Sequence, residues 1–340
     1  MTLAVTPLAT IIVVAHNSAR WLPRMAGAVA AQRETRWRLV IVDNGSRAEE
    51  RPRQGDLPPG ASIIQCETNL GFAAANNIGA RDAATPYLVF LNPDAFPEPG
   101  WLAALLAAAD GFPEAGAIGS TQKRADAPGV FDGTGDVLHA SGLAFRSSYG
   151  TRRDAPPPLG ESFSACAAAM LVRREAFEDV GGFDARYFCY FEDVDLGFRL
   201  RLKGWRVLQL PDAVVEHVGG GVAGARSAFG DFHGARNRLW TYVKCMPPLL
   251  FWPLLPAHIA ATVLVNTSAL LQGRGFAAWR GSVAALAEIG PIWASRREVQ
   301  NARTASTGEI ASALAWSPDV LLNRRPVLRT PSAHDAPSQR

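Results

Sequence analysis

Along the first hundred residues, continuous apolar runs alternate with helical periodicity, and polar clusters mark each change. Ala9 to Val14, A-T-I-I-V-V, is an unbroken β-branched run of the kind expected for a parallel strand buried on both faces. No basic segment precedes the apolar stretch Leu8 to Ala15 and no small-residue cleavage site follows it, so it is read as a strand and not as a signal-peptide core. The run stops at Ala15-His16-Asn17-Ser18, where Ser18 is placed to cap a helix through Trp21 to about Gln32. A second strand, Trp37 to Val42, stops at Asp43-Asn44-Gly45-Ser46, and a third, Ser62 to Cys66, leads into Asn69-Leu70-Gly71-Phe72. A helix from about Ala73 to Asp82 precedes a fourth strand, Tyr87 to Leu91, which stops at Asn92-Pro93-Asp94, and Trp101 to Ala109 reads as a further helix. Strands alternating with helices predict an open, mostly parallel α/β sheet with polar groups collected at the carboxyl ends of its strands.

The pattern then changes. Residues 120–160 are rich in Gly, Pro, Ser and Asp and predict loops and short strands that carry substrate contacts. Helical spacing returns at Arg173 to Val180 and Val194 to Lys203, followed by a short strand, Arg206 to Gln209, and a glycine-rich loop over 218–230. Between Lys244 and Arg274 there is no Asp, Glu, Lys or Arg, a length sufficient to span a bilayer. Four prolines, His258 and Asn266 interrupt that stretch and favour an in-plane interfacial segment, with a buried helical appendage and a true span as alternatives. The organisation read from this is a catalytic domain over 1–240, a helical region over 241–325 that is a candidate for membrane association, and a disordered tail over 326–340.

Composition narrows the function classes. The 340 residues carry 34 Lys plus Arg against 31 Asp plus Glu, a net charge of +3, which makes no broad electrostatic case for a nucleic-acid partner. Hydrophobic residues at 48% and charged residues at 19% describe a folded globular chain long enough for one large α/β domain and an appendage. Cys66, Cys166, Cys189 and Cys245 are scattered with no C-x-x-C pair, which excludes a zinc ribbon or dithiol motif and points to a reducing compartment.

The candidate chemistry sits at the strand ends. Asp43 and Asp94 each follow an apolar strand, so both should emerge at the ligand-binding edge of the sheet, although an isolated Asp there is usually a turn or helix cap. Asp94, beyond a rigid Asn-Pro turn, suits a hard divalent cation bridging two phosphates, and His217, ahead of the glycines, could offer the same ion an imidazole. Glu192, Asp193 and Asp195 crowd the start of a helix among Tyr187, Phe188, Tyr190 and Phe191. Mutual repulsion and partial desolvation there would raise a proton affinity and yield a general base near neutral pH, whereas favourable placement against the helix dipole would account for one or two of the three. Arg236 and Arg238 could hold phosphates or simply be solvated.

These strings, in order, resemble the family 2 glycosyltransferases of the GT-A fold, most closely their bacterial rhamnosyltransferase-like branch. The motifs are I-I-V-V-A-H-N-S, I-V-D-N-G-S, N-L-G-F-A-A-A-N-N-I-G, F-L-N-P-D, A-A-A-M-L-V-R-R-E-A-F, G-G-F-D-A-R-Y-F-C-Y-F-E-D-V-D-L-G-F-R and V-E-H before glycines, over about residues 9–245. The resemblance implies that Ala15, His16, Asn17, Asp43 and Asn44 hold the donor's base and ribose, while Asn69, Asn76, Asn77 and Asn92 line its diphosphate and sugar. It makes Asp94 and His217 the ligands of Mg²⁺ or Mn²⁺, Asp193 the base with Glu192 as its acidic neighbour, and Asp195 and Arg199 part of the acceptor side. It implies inverting transfer of rhamnose or a hexose from a dTDP- or UDP-linked donor to a glycan or lipid-linked acceptor, in the cytoplasm at the inner face of the cell membrane, in cell-surface polysaccharide synthesis. Ala167, where the family often has Gly, and Ala185, where an acid is frequent, depart from the pattern. A nicotinamide dehydrogenase lacks its G-x-G-x-x-G here and a P-loop NTPase its G-x-x-x-x-G-K-[ST]; a sugar nucleotidyltransferase or an inactive sugar-binding module remain as alternatives.

Overall fold

A computed structural model describes residues 6–219 and 227–331. In chain order the strands are β1 (Ala9–Ala15), β2 (Trp37–Asn44), β3 (Ser62–Cys66), β4 (Tyr87–Leu91), β5 (Ala95–Pro97), β6 (Ala115–Arg124), β7 (Phe131–Gly133), β8 (Asp136–Leu138), β9 (Ala144–Arg146), β10 (Gly160–Glu161), β11 (Ala169–Arg173) and β12 (Arg206–His217). The helices are α1 (Leu22–Ala30), α2 (Phe72–Ala80), α3 (Trp101–Gly111), α4 (Arg174–Asp179), α5 (Glu192–Leu202), α6 (Ala228–Cys245), α7 (Pro248–Leu271), α8 (Ala277–Ala287), α9 (Ile289–Asn301), α10 (Thr307–Ala313) and α11 (Pro318–Asn323).

The main sheet runs β10-β12-β6-β11-β4-β1-β2-β3. β3, β2, β1 and β4 are parallel, as their apolar runs predict. β11 enters antiparallel between β4 and β6, so the whole sheet is mixed. β1 is covered on both sides: Ile11 and Val13 join a core with α1 and α3, while Ile12 and Val14 join one with α2, α4 and α5. The period of two along a strand divides these neighbours between opposite faces.

Several elements differ from the sequence reading. Ser18 makes no side-chain cap; a short 3₁₀ turn over Ala19–Trp21 precedes α1, which ends at Ala30, and the Gln32 amide instead donates to the carbonyls of Ala28 and Glu98. The strand expected to stop at Gln209 continues to His217. Pro211 and Asp212 are absorbed where the β12–β6 register slips between Gln209 and Val214, a bulge that lets the strand resume pairing. The C-terminal part of the expected 218–230 loop is the first turn of α6, capped by the Ser227 hydroxyl accepting from the Gly230 N–H; residues 220–226 lie outside the described residues. α6 runs unbroken across 240–241, so no linker divides the chain there; it packs with α5, α7 and α9 in a third core containing Tyr187, Phe198, Trp240, Phe251 and Ile292. Of the expected disordered tail, residues 326–331 are described, and Arg329 pairs its backbone with Glu161; residues 332–340 lie outside the described residues.

Candidate active site

The continuation of β12 brings His217 to the cleft. β12 pairs antiparallel with β5, setting His217 opposite Ala95, and the Val218 N–H donates to the Asp94 carbonyl at 3.1 Å. Backbone pairing therefore places the imidazole beside the Asp94 carboxylate, with His217 Nε2 and Asp94 Oδ1 3.4 Å apart. The other ring nitrogen, Nδ1, lies 2.8 Å from Asp132 Oδ2, and Arg146 also donates to Asp132. Burial pushes the His217 imidazole toward its neutral form, but hydrogen bonds to Asp132 and Asp94 outweigh this and raise its pKa to about 9. Burial likewise pushes both carboxyls up, and the contact with His217 brings them below the usual range.

This donor set suits a hard divalent ion. With the ring neutral, an Nδ1–H given to Asp132 leaves the Nε2 lone pair beside Asp94, the arrangement in which a carboxylate orients a histidine ligand. Among the described residues no group of three His, Cys, Asp or Glu side chains is arranged to hold a metal. An ion here would have two protein ligands and complete its shell with phosphate or water oxygens, as Mg²⁺ commonly does.

The second acidic group begins α5 after a strained corner. Phe188, Tyr190 and Phe191 have φ of 62°, 68° and 68°, a left-handed region costly for bulky residues and concentrated at functional sites. The corner delivers Glu192 and Asp193 to the helix start. Asp193 is partly exposed and accepts from the N–H groups of Val194 at 2.8 Å and Ala167 at 3.2 Å. The contact at Ala167 is through backbone, so alanine there leaves it intact. Glu192 is buried and its Oε2 has no hydrogen-bond partner among the described residues; Asp136, also buried, accepts from the Ser164 hydroxyl at 3.0 Å. Burial raises all three carboxyls above the ordinary carboxylate range, and the Asp193 charge adds to the rise at Glu192 and Asp136.

Two adjoining cavities connect these groups. One, of about 440 Å³, is lined by His16, Asn44, Asn69, Gly71 and Asp94 among others; the second, of about 290 Å³, is lined by Asp136, Ala167, Glu192 and Asp193. Phe72, Asn92, Arg146, Cys189, Tyr190 and His217 line both, so the two form one cleft of ligand-binding size.

The structure divides the expected site residues. His16, Asn44, Asn69, Asn92, Asp94, Glu192, Asp193 and His217 line the cleft. His16 donates from Nδ1 to the Asn44 carbonyl at 2.9 Å, and its Nε2 accepts from the Asn17 amide at 3.1 Å. Asn44 ties the donor-side loop together, donating to Asn69 Oδ1 at 2.9 Å and accepting from the Leu70 N–H at 2.8 Å. Ala15 and Asp43 are buried behind this wall, where Asp43 accepts from the Ser46 N–H and shapes the turn. Asn76 and Asn77 lie off the cleft: Asn76 bonds within α2, and Asn77 clamps both the N–H and the carbonyl of Phe183. The acceptor-side placement of Asp195 and Arg199 is corrected. Both are buried, joined to each other at 2.8 Å, and Asp195 also meets Lys244 at 2.6 Å, so neither reaches the cleft. Arg236 donates to the Arg186 and Tyr187 carbonyls and Arg238 to Asn266, which corrects their reading as phosphate-binding or solvated. Ala185 is exposed in a turn capped by Asp184 and lines neither cavity.

The residues unread from the sequence are Asp132, Asp136 and Arg146. All three lie in the Gly/Asp-rich segment expected to carry substrate contacts, which marked the region without selecting the side chains.

Comparison with known proteins agrees with this geometry. Residues 10–181 match the family described as "Glycosyl transferase family 2". An N-acetylglucosaminyl-diphospho-decaprenol L-rhamnosyltransferase of Mycobacterium tuberculosis is 32% identical over 240 residues, covering 62% of this chain and 76% of that protein. The O-antigen biosynthesis protein RfbC of Myxococcus xanthus is 30% identical over 216 residues, covering 60% of this chain and 16% of that protein. Among solved structures, the mannosyltransferase PcManGT of Pyrobaculum calidifontis in complex with GDP-Man and Mn²⁺ superposes with a TM-score of 0.51 at 19% identity, covering 88% of this chain and 86% of that one. GalNAc-T7 with UDP, GalNAc and Mn²⁺ superposes with a TM-score of 0.56 at 17% identity, covering 70% of this chain and 48% of that one. The chain belongs to glycosyltransferase family 2, is rhamnosyltransferase-like, and has the GT-A fold.

Proposed function

We propose that the protein is an inverting glycosyltransferase that moves rhamnose or a hexose from a dTDP- or UDP-linked donor to a hydroxyl of a lipid-linked or glycan acceptor, in cell-surface polysaccharide synthesis. The observation that carries this reading is the shared wall between the cavity holding Asp94 and His217 and the cavity holding Asp193. A donor diphosphate on one side and an acceptor hydroxyl on the other would meet across that wall.

His16, Asn44 and Asn69 border the donor cavity and orient the nucleotide side. Asp94 and His217 would hold Mg²⁺ or Mn²⁺, which when bound supplies positive charge to the departing nucleoside diphosphate. Arg146, lining both cavities, brings a further positive charge to the same wall. Asp193 takes the acceptor proton as the acceptor oxygen forms its bond to the anomeric carbon and the bond from that carbon to the diphosphate breaks. Attack from the face opposite the leaving group inverts the anomeric centre. Burial raises the Asp193 carboxyl above its ordinary value, bringing this base closer to neutral pH.

A membrane-bound acceptor fits the reversed polarity of α7. The helix exposes Leu249, Trp252, Ile259, Val263 and Leu264 while burying His258, Thr262 and Asn266. His258 donates from Nδ1 to the Ser141 carbonyl at 2.9 Å and Asn266 donates to the Ser282 hydroxyl at 2.9 Å, so the polar stripe faces the protein and is bound to it at two points, and the apolar stripe faces outward. A helix fastened along one side in this way suits lying in the cytoplasmic surface of the membrane better than crossing it.

The experiment is a donor panel: dTDP-rhamnose, UDP-glucose, UDP-galactose and UDP-N-acetylglucosamine, each with and without Mn²⁺, reading nucleoside diphosphate release. Release from one donor class, enhanced by Mn²⁺, is expected. Absence of release and of thermal stabilisation by every donor contradicts the reading.

A further inference from the structure

The strained corner before the base is held from outside by side chains of α6, with Asn237 making most of the contacts. Asn237, in the second half of α6, is fully buried, and its amide nitrogen donates to three carbonyls of the corner: Tyr187 at 2.9 Å, Cys189 at 2.9 Å and Tyr190 at 2.7 Å. Two amide hydrogens serve three acceptors, so at least one hydrogen is shared. The orientation of the amide is determined by its surroundings, because Asn237 Oδ1 accepts from Arg236 Nε at 2.9 Å, leaving only the NH₂ to face the carbonyls. Arg236 continues the same clamp by donating to the Tyr187 carbonyl at 3.0 Å and the Arg186 carbonyl at 3.2 Å.

Left-handed backbone at Phe188, Tyr190 and Phe191 leaves the carbonyls of Tyr187, Cys189 and Tyr190 facing Asn237 on α6, while the Phe188 carbonyl accepts from the Ala73 N–H of α2 at 3.3 Å. The same corner supplies Phe188, Cys189 and Tyr190 to the cleft wall and ends in Glu192 and Asp193. The geometry points to Asn237 as a positioning residue that, without touching substrate, sets the conformation of residues 187–191 and through it the aim of the Asp193 carboxylate. α6 follows the glycine-bearing segment after His217 in sequence, so the element that fixes the base is joined by chain to the strand that carries the metal-side histidine. This inference rests on the transferase reading above.

The test uses the full chain and a donor that the wild type turns over, with Asp193→Asn measured in parallel. Asn237→Asp keeps the volume, removes the donors and turns a carboxylate on three carbonyls; Asn237→Ala removes the donors and leaves room for water. Turnover should fall on the order of 10-fold in Asn237→Ala and on the order of 100-fold in Asn237→Asp, since displacing a reacting group by about 1 Å has effects of that size. Nucleoside diphosphate affinity, read by calorimetry, should stay within about threefold, because the donor-side residues are held elsewhere. A role in packing alone reverses the order, with the smaller alanine worse than the isosteric aspartate. That reversed order, turnover within about twofold of wild type in both variants, or proportional loss of binding and turnover overturns the assignment. If neither variant folds, Arg236→Leu decides: lower turnover at retained nucleotide affinity supports the clamp, and unchanged turnover refutes it. A wild type without turnover, or an Asp193→Asn as active as wild type, refutes the transferase reading instead.

Discussion

Gly71 is where the two walls of the cleft touch, and replacing it with alanine tests that contact quantitatively. The residue precedes α2 with φ +86° and ψ 163°, a region almost reserved for glycine. A Cβ at this position would lie 2.6 Å from the Phe188 carbonyl oxygen, 2.6 Å from its ring and 2.8 Å from its Cα. The ring could swing away, but the backbone atoms belong to the corner clamped by Asn237, and the Phe188 carbonyl already accepts from the Ala73 N–H at 3.3 Å. The backbone conformation costs on the order of 1–3 kcal/mol and the overlap a further 1–3 kcal/mol, so Gly71→Ala should lose about 2–6 kcal/mol of a total stability of roughly 5–15 kcal/mol. Gly60→Ala is the internal control. Its φ is +83°, with nothing within 4 Å of the added carbon, so it should show only the conformational part, about 1 kcal/mol. Urea denaturation of the three proteins at a common slope gives the stabilities, and donor KM and kcat report the cleft. Relief of the overlap must move either the Asn69 to Gly71 loop or the Phe188 corner, so Gly71→Ala should also raise KM or lower kcat, while Gly60→Ala changes neither. A Gly71→Ala protein within about 0.5 kcal/mol of wild type, with unchanged kinetics, refutes the apposition of the two walls.

Further expectations follow from the same structure. Asp132→Asn removes the charge that orients His217, and Mn²⁺ affinity measured by paramagnetic resonance titration should fall about 10- to 100-fold; unchanged affinity contradicts the ligand assignment. Burial pushes the Asp184 carboxyl up, yet Arg186 and Lys244 hold it well below the usual carboxylate range. A depressed pKa contributes stability above the unfolded value and loses it as pH falls below, so Asp184→Asn should cost on the order of 3 kcal/mol at pH 7. The difference from wild type should narrow progressively as pH falls below the unfolded carboxylate value of about 4, and a gap independent of pH refutes that pairing. Trp252→Glu with Leu264→Glu should move the protein from anionic vesicles to the supernatant in a sedimentation assay; unchanged co-sedimentation refutes α7 as the docking face.

How much was readable from the amino-acid string depends on whether local pattern or a distant partner defines the element. β1, β2 and β4 announce themselves because strands buried on both faces are apolar over nearly their whole length, whereas β3 is a half-buried edge strand. β6 was passed over because A-G-A-I-G-S-T-Q carries glycines and polar groups that resemble a loop. Those glycines are packing requirements: a Cβ at Gly116 would meet Trp205 at 2.8 Å, and one at Gly119 the Gln209 amide at 2.7 Å. β11 adjoins α4 without a break, and a reading that began with the helix at Arg173 left the strand residues Ala169 to Val172 unassigned. In the site, Asp94, Asp193 and His217 stand at element ends where motif and position agree. Asp195 and Arg199 carried a contrary local signal, since acid and base four apart on a helix form an intrahelical pair, which is how they are buried. Asp132, Arg146 and Asn237 acquire their roles only from partners between 14 and 85 positions away or from a corner whose backbone is left-handed, and no local spacing encodes that.

The most direct measurement of the central claim is Asp193→Asn in a transfer assay paired with calorimetric titration of the nucleoside diphosphate. With Asp193 as the base facing the donor cavity, turnover should drop by about 10²- to 10⁴-fold while nucleotide affinity stays within about threefold. Turnover equal to wild type would contradict the account, since the cavity beside the donor site would then hold no working base.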